Sequence, residues 1–224
     1  MIKKSIAPSW LLHVLIVAGI IGSSQLAAFY FRNKAFDTGT AMLAPLIKNA
    51  KLEEKQLLTA SVPKEDLQKL QTLYLVLENR KDHHRAVFLD LYRYHFASVT
   101  ILLMLSALSA VVIFIVSHNG INNAPPYMKT IFFTLAALTT FYALSPVVYK
   151  QADSIDKNLK SYLQLDNLQS DVYNYAITRP VAKDTITFSQ FHSSIVKKMN
   201  DINSIDLEFD YKSIPTEDFF KKQP

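Results

Sequence analysis

The sequence contains no cysteine and only four glycines in 224 residues. The lack of cysteine excludes disulfide bonds, thiolate nucleophiles and zinc sites with cysteine ligands. Four glycines are too few for the glycine-rich loops that bind phosphate groups, and the common nucleotide, zinc, calcium and serine-hydrolase signatures do not occur. We therefore expect no catalytic residue, no metal ion and no cofactor, and we predict that the protein is not an enzyme.

Three long blocks lack any Asp, Glu, Lys or Arg, at residues 10–31, 97–116 and 130–149. A helix needs about 20 apolar residues to cross the hydrocarbon of a bilayer, so each block predicts a transmembrane helix. Lys3 and Lys4 precede the first block, as they would in a cleaved signal peptide. However, this block is longer than the typical signal core of about 7–15 residues, and we favour an uncleaved span.

Positive charge is distributed unevenly around these blocks. The segment 117–129, between the second and third blocks, contains one formal charge, Lys129. The segments 32–96 and 150–160 carry many more cations: Arg32, Lys34, Arg80, Lys81, Arg85, Arg93, Lys150, Lys157 and Lys160. Because Lys and Arg in short loops stay cytoplasmic, we predict an integral membrane protein with its N-terminus and 117–129 outside, and with 32–96 and the C-terminus inside. Lys3 and Lys4 count against this orientation.

Two apolar stripes with helical spacing flank the second and third blocks. Leu67, Leu70, Tyr74 and Leu77 follow each other at steps of 3, 4 and 3, and residues 64–117 contain neither Gly nor Pro. The second stripe comprises Ile155, Leu159, Tyr162, Leu165, Leu168, Val172 and Tyr175. We predict an all-α membrane protein in which these two transmembrane helices continue into a long antiparallel cytosolic hairpin, packed like a coiled coil. Pro146 should kink or end the third span.

Two shorter helices complete the predicted fold. One covers about residues 40–60, with Leu43, Ile47, Ala50 and Leu57 facing inwards. The other begins at Thr187, where Thr187 and Gln190 form a capping box, and its apolar face comprises Phe188, Phe191, Ile195, Met199 and Ile202. The predicted organisation is a transmembrane helix at 1–31, a cytosolic segment and stalk at 32–96, a transmembrane hairpin at 97–149 with its outer tip at 117–129, a second stalk with the amphipathic helix at 150–205, and an extended tail at 206–224.

The tail combines alternating apolar residues with a pair of aromatics: Leu207, Phe209, Tyr211, Phe219 and Phe220. Disordered segments contain few aromatic residues, so we predict that the tail docks. Its own bundle, a neighbouring copy and a heterologous membrane subunit are all compatible with the pattern.

Small and polar residues recur within the blocks, and they are the candidate pore or helix-packing residues: Gly19, Gly22, Ser23, Gln25, Ser106 and Thr134. Such faces let helices approach closely in lipid, and hydroxyl groups could also line a pore. We expect a homo-oligomer in the lipid bilayer and no nucleic-acid partner. His13 is the one titratable residue of the blocks, and we expect a neutral imidazole near the interface. We expect residues 80–85, which include His83 and His84, to form a solvated basic patch.

The layout of residues 90–205 resembles that of the SLATT-type membrane proteins, which are regarded as pore-forming effectors of bacterial immunity systems. Paired spans are followed by the long helix "KQADSIDKNLKSYLQLDNLQSDVYNY" and a short amphipathic helix. The resemblance lies in this order and in the spacing of Asn158, Tyr162, Leu168, Tyr173 and Tyr175. It implies a bacterial inner-membrane location and a pore-forming role. The first span and the tail depart from the usual family pattern.

Two functional hypotheses follow from the sequence. The first is a non-enzymatic, channel-like or membrane-perturbing effector that is gated through its cytosolic helical bundle. The second is an accessory or scaffold subunit of a larger membrane complex that uses the tail for docking.

Overall fold

The computed structural model describes residues 9–60, 62–178 and 187–202, and within them the chain forms five α-helices. These are α1 (Ser9–Leu57), α2 (Lys64–Asn119), α3 (Pro126–Val148), α4 (Gln151–Thr178) and α5 (Phe188–Asp201). The described ranges contain no β-strand, which confirms the all-α prediction. The tail at 206–224, with Leu207, Phe209, Tyr211, Phe219 and Phe220, lies outside the described residues, and its docking stays a prediction.

Three of these helices, α1, α2 and α3, contain a stretch that is long and apolar enough to cross a membrane. They include the three blocks that the sequence marks as spans. Only 11–17% of each apolar stretch is buried inside the chain, so most of these side chains face outwards. Outward-facing apolar side chains are what a helix surrounded by lipid requires.

The helix α1 is longer than the sequence predicts. The first span and the helix at 40–60 were expected to be separate elements, but α1 runs without a break from Ser9 to Leu57 and includes Pro45. A glycine in a helix interior costs only about 1 kcal/mol relative to alanine, so Gly39 does not end the helix. Its missing side chain also has a use, because a Cβ atom there would lie 2.8 Å from Leu89 Cδ2 and 3.3 Å from Tyr92 Cδ1.

The chain turns between α3 and α4, where a continuous helix was predicted. The helix α3 ends at Val148, two residues after Pro146, as the prediction of a late kink or end required. The amides of Tyr149 and Lys150 then donate to the carbonyls of Ser145 and Val147, at 3.2 and 3.1 Å. Lys150 has a φ of 40°, a left-handed conformation that ends the run of helical residues before α4 begins.

The contacts divide the chain into two compact units. The described part of the first comprises residues 9–35 and 93–151, and that of the second comprises 36–60, 62–92, 152–178 and 187–202. We call the first the apolar unit and the second the helical bundle. The core of the apolar unit is formed by Ala28, Ile101, Leu105, Leu135 and Tyr142.

Both predicted stripes lie in the interior of the helical bundle. Leu70, Tyr74, Leu77, Tyr162, Leu165, Leu168 and Val172 are buried, and the remaining members are partly buried. From α1, the predicted inward residues Leu43, Ala50 and Leu57 are buried as well. The phases assigned to the three helices are therefore confirmed, whereas the antiparallel cytosolic hairpin stays a prediction.

The helix α5 completes the helical bundle and matches its sequence signature. The Thr187 side chain accepts from the Gln190 amide and the Gln190 side chain accepts from the Thr187 amide, so the predicted capping box is present. Ile195 and Met199 are buried in the core formed with α2 and α4. The Phe191 ring stacks on that of Tyr175 with centroids 3.9 Å apart.

Leu165→Asp should destabilise the helical bundle by several kcal/mol, because the new carboxylate would occupy a core position without a partner. Gln164→Asp is the matched control, since this neighbouring side chain is exposed and the new charge stays in solvent. Thermal unfolding of the detergent-solubilised protein, followed by circular dichroism, measures both. Equal losses at the two positions would contradict the phase of α4.

Candidate functional site

The buried face of α2 carries two polar residues in the middle of its apolar stripe. Leu70, Tyr74, Leu77, Lys81, His84 and Phe88 are all buried and follow each other at steps of 4, 3, 4, 3 and 4. This spacing places them on one side of a helix. Lys81 is 1% exposed and His84 is 5% exposed. The prediction that residues 80–85 form a solvated patch is therefore wrong at these two positions, because they share the phase of the core, while His83 is exposed.

The Lys81 ammonium group has three acceptors, which come from α2 and α4. Its Nζ atom lies 2.9 Å from Glu78 Oε2 and 3.0 Å from Asp166 Oδ1. It also donates a short hydrogen bond to Gln169 Oε1, and the Gln169 amide donates to Glu78 Oε2 at 2.7 Å. A lysine ammonium has three hydrogens, so every donor of this buried group is satisfied. We call Lys81, Glu78, Asp166 and Gln169 the ion cluster.

The ion cluster holds Glu78 in its ionised form. Burial alone would raise the pKa of Glu78, but the hydrogen bonds from Lys81 and Gln169 and the positive charges of Lys81 and Arg85 outweigh it and lower the pKa below its ordinary value. The cluster thus combines one fully buried lysine with two acidic side chains that are partly buried, Glu78 and Asp166. These acceptors are what makes the burial of the Lys81 ammonium group tolerable.

Beside the ion cluster, Glu53 of α1 has the opposite tendency. Burial raises the pKa of Glu53, the hydrogen bond from Ser170 lowers it, and the negative charge of Asp166 raises it further, so that the pKa lies above its ordinary value. The Ser170 hydroxyl donates to the Glu53 carboxylate at 3.1 Å. This contact brings α1 into the polar interior of the helical bundle.

A second polar layer lies next to the ion cluster along α2. His84 Nδ1 lies 3.0 Å from Asn158 Oδ1, and the Asn158 amide donates to the Ser154 carbonyl at 2.8 Å. Because the amide nitrogen of Asn158 is occupied, its oxygen faces the imidazole, and His84 Nδ1 must carry the hydrogen. Asn158 is one of the residues on which the family resemblance depends.

Two tyrosines border the polar layers, and both stay neutral. Burial raises the pKa of Tyr162 to about 12, and the Lys81 Nζ atom lies 5.8 Å from the centre of its ring. Burial also raises the pKa of Tyr74, whose hydroxyl donates to the Ala50 carbonyl of α1 at 2.6 Å. Among the described residues, the buried Tyr162 hydroxyl finds no hydrogen-bond partner.

A cavity of about 270 Å³ opens beside His84 in the helical bundle. Its polar walls are Asn79, Arg80, His83 and His84 of α2, and its apolar walls are Leu165, Met199 and Ile202. Arg80 Nη1 donates to the Met199 carbonyl at 3.3 Å, which ties α5 to α2 at this edge. No group of three His, Cys, Asp or Glu side chains within the described ranges could hold a metal ion.

The candidate pore or helix-packing residues of the apolar unit do not converge on one lining. Gly19, Gly22, Ser23, Gln25 and Ser106 are exposed within the chain, and Thr134 is partly buried. Gly19 and Ser23 border the same apolar cavity, whereas the other four lie outside its walls. Ser23 donates to the Gly19 carbonyl at 2.7 Å and Thr134 donates to the Thr130 carbonyl at 2.8 Å. These hydroxyl hydrogens are thus used within their own helices.

The histidine of the first apolar block has a partner that the sequence did not indicate. His13 Nδ1 of α1 lies 2.7 Å from Thr130 Oγ1 of α3. The Thr130 hydroxyl also lies within 3.2 Å of the Pro126 carbonyl, to which it can donate. If it does, it accepts from His13, so both polar groups are satisfied inside the apolar unit.

The Lys81 cluster was missed by the sequence analysis although its signal was present. The stripe on α2 was followed only through its apolar members, to Leu77. Continuing the same 4 and 3 steps would have reached Lys81, His84 and Phe88. The acceptors on α4 are harder to find, because Asp166 and Gln169 depend on how the two helices pair.

No protein-family model matches the chain, and no match is found among curated proteins or among solved structures. The resemblance to the SLATT-type proteins therefore remains an expectation from residue spacing and layout.

Lys81→Met should cost about 1–3 kcal/mol of stability, because it leaves the partly buried Glu78 and Asp166 carboxylates without their cation. Adding Glu78→Gln and Asp166→Asn to Lys81→Met should recover much of the loss. The control is Lys69→Met, which removes an exposed lysine from its 2.7 Å pair with Glu65 and should change little. Thermal unfolding in detergent measures all three, and a Lys81→Met protein as stable as Lys69→Met would contradict the role of the cluster.

Glu78 should make stability depend on pH in the acid range. A carboxylate with a lowered folded pKa stabilises the protein fully above its unfolded value of about 4.3, and that contribution is lost as the pH falls through the folded pKa. The raised pKa of Glu53 acts in the opposite direction, so the comparison must isolate Glu78. The melting temperature should therefore fall less between pH 7 and pH 3 for Glu78→Gln than for the wild type. An equal fall in melting temperature for the two proteins would refute the contribution of Glu78 to stability.

Proposed function

We propose that the protein is a non-enzymatic, oligomeric integral membrane protein that acts as a channel-like or membrane-perturbing effector, controlled by the polar interior of its helical bundle. The observation that carries this proposal is the ion cluster. Lys81, the most buried charged residue described, lies on α2, the same helix that supplies the second apolar span.

In this proposal the polar layers allow the helical bundle a second arrangement. Replacing a buried ion pair by well-packed apolar residues is often neutral or stabilising, so stability alone does not explain a lysine in the core position of Lys81. Charged groups can exchange their protein partners for water, whereas leucines cannot do so without loss. A bundle with such a core is suited to switch between two packings in response to a trigger.

The helices provide the connection between this switch and the membrane. Both α1 and α2 contribute residues to the helical bundle and to the apolar unit, and neither is interrupted between these contributions. A rotation or shift of either helix in the bundle would therefore move residues of its apolar span. In this proposal the bundle faces the cytoplasm and the N-terminus lies outside.

Any conducting path would form between copies of the chain. The cavity of the apolar unit has apolar walls, and the hydroxyls of Ser23 and Thr134 are bonded within their own helices. Gly22 and Ser106 are exposed on the surface of α1 and α2, where small residues permit close approach of a second copy.

The test is release of a small fluorophore from liposomes that contain the purified protein. Lys81→Met and the milder Lys81→Arg should change the rate of release relative to wild type, because they disturb the ion cluster. Lys69→Met should not. A triple variant with leucine at Lys81, Glu78 and Asp166 should keep the bundle in one packing and abolish any triggered release. Size-exclusion chromatography establishes that each variant is folded.

If neither the wild type nor any folded variant releases the fluorophore, the effector proposal is wrong. Co-purification of a heterologous membrane protein that is lost on deletion of 206–224 would then favour the accessory-subunit hypothesis.

A further inference from the structure

A long apolar crevice lies within the apolar unit, between α1, α2 and α3. It has a volume of about 530 Å³. Its walls include Leu15, Gly19 and Ala27 from α1, Ile101 and Val112 from α2, and Leu135 from α3. These helices contain the three stretches that are long and apolar enough to cross a membrane, so the crevice opens into hydrocarbon rather than water.

The chemistry of the walls excludes a polar occupant. Among the residues that border the crevice, the two hydroxyl side chains are those of Ser23 and Ser24. Ser23 donates its hydrogen to the Gly19 carbonyl at 2.7 Å, and Ser24 donates to the Ile21 carbonyl at 2.8 Å. Each hydroxyl oxygen could still accept a hydrogen bond, but these side chains have no hydrogen left to donate, and buried water typically makes about three hydrogen bonds, so water in the crevice would lose hydrogen bonds. The occupant must be apolar.

The shape of the crevice selects among apolar occupants. Its α1 wall runs from Leu15 to Ala27, which is about 18 Å at a rise of 1.5 Å per residue. Its α2 wall runs from Ile101 to Val112, which is about 17 Å by the same measure. The centres of water molecules could occupy about 530 Å³, which over about 18 Å of helix is a mean cross-section of about 30 Å². Adding a water radius of about 1.4 Å on each side gives a width of about 9 Å between the walls.

A transmembrane helix with its side chains is about 10–12 Å in diameter and is too wide to enter. A single unbranched hydrocarbon chain is long, narrow and apolar, and it is the molecule that surrounds these helices in a bilayer. We propose that the crevice binds acyl-chain hydrocarbon of a membrane phospholipid, held lengthwise along α1 and α2 and bordered by α3. This site does not depend on the proposed effector function.

Two glycines of α1 provide a matched pair of variants. A Cβ atom at either Gly19 or Gly22 would meet no described atom within 4 Å, so larger side chains should fit at both positions. Gly19 borders the crevice and Gly22 does not. Gly19→Leu should therefore fill the crevice, whereas Gly22→Leu makes the same chemical change outside it. Ser23→Leu, one turn from Gly19 and also on the wall, is a second filling variant should Gly19→Leu fail to fold.

The experiment reconstitutes the full chain in nanodiscs of phosphatidylcholine that carries a photoactivatable diazirine midway along one acyl chain. After irradiation, mass spectrometry locates the labelled peptides. Wild type and Gly22→Leu should be labelled at the walls of the crevice, above all at Ile101, Leu105 and Val112 of α2, which fragmentation of the labelled peptide resolves from the outward-facing Leu103 and Val111. Gly19→Leu or Ser23→Leu should lose this labelling while their outward-facing surfaces remain labelled.

Equal labelling of the crevice-facing residues of 101–112, which are Ile101, Leu105 and Val112, in wild type and in a folded filling variant would overturn the proposal, because it would show only general contact with lipid. Absence of this labelling in wild type, with crosslinks between two copies through the crevice walls, would also overturn it and assign the crevice to a second copy of the chain.

Discussion

Burial of the Lys81 ammonium group is the constraint on which the organisation of the helical bundle depends. A charge at 1% exposure requires acceptors at fixed positions, and these come from Glu78 on the same helix and from Asp166 and Gln169 on α4. An apolar seam alone would tolerate small shifts between helices, whereas the two hydrogen bonds from Lys81 Nζ to α4 and the bond from Gln169 to Glu78 favour one pairing of α2 with α4. The neighbouring bond between His84 and Asn158 favours the same pairing.

The apolar unit is held together differently. Lipid surrounds transmembrane helices with material as apolar as their own side chains, so helix association depends on close packing and on hydrogen bonds between helices. Here the core is small, with five buried residues in its central cluster, and the bond between His13 and Thr130 joins α1 to α3. An incompletely packed unit of this kind leaves room for the crevice between its helices.

Much of the fold could be predicted from the sequence because hydrophobic blocks and helical periodicity are local signals. The three spans, the phases of the Leu70 and Leu165 stripes and the Thr187 capping box all follow from residues close in the chain. The continuity of α1 through Gly39 was not predicted, and the close approach of Leu89 and Tyr92 to this glycine could not be, because it depends on how α2 packs against α1. The ion cluster was not predicted either, because a lysine can be assigned to the core face of a helix only when its acceptors on another helix are known.

The bond between His13 and Thr130 has a consequence for the biogenesis of the protein. The two residues are 117 positions apart in the chain, and ribosomes synthesise about 5–20 residues per second. The first span therefore exists for about 6–23 s before its partner on the third span has been made. During that interval the imidazole must obtain its hydrogen bonds from water or other polar groups, which its position one turn from Trp10, near the start of the apolar stretch of α1, allows. Assembly of the apolar unit is thus complete only when α3 arrives.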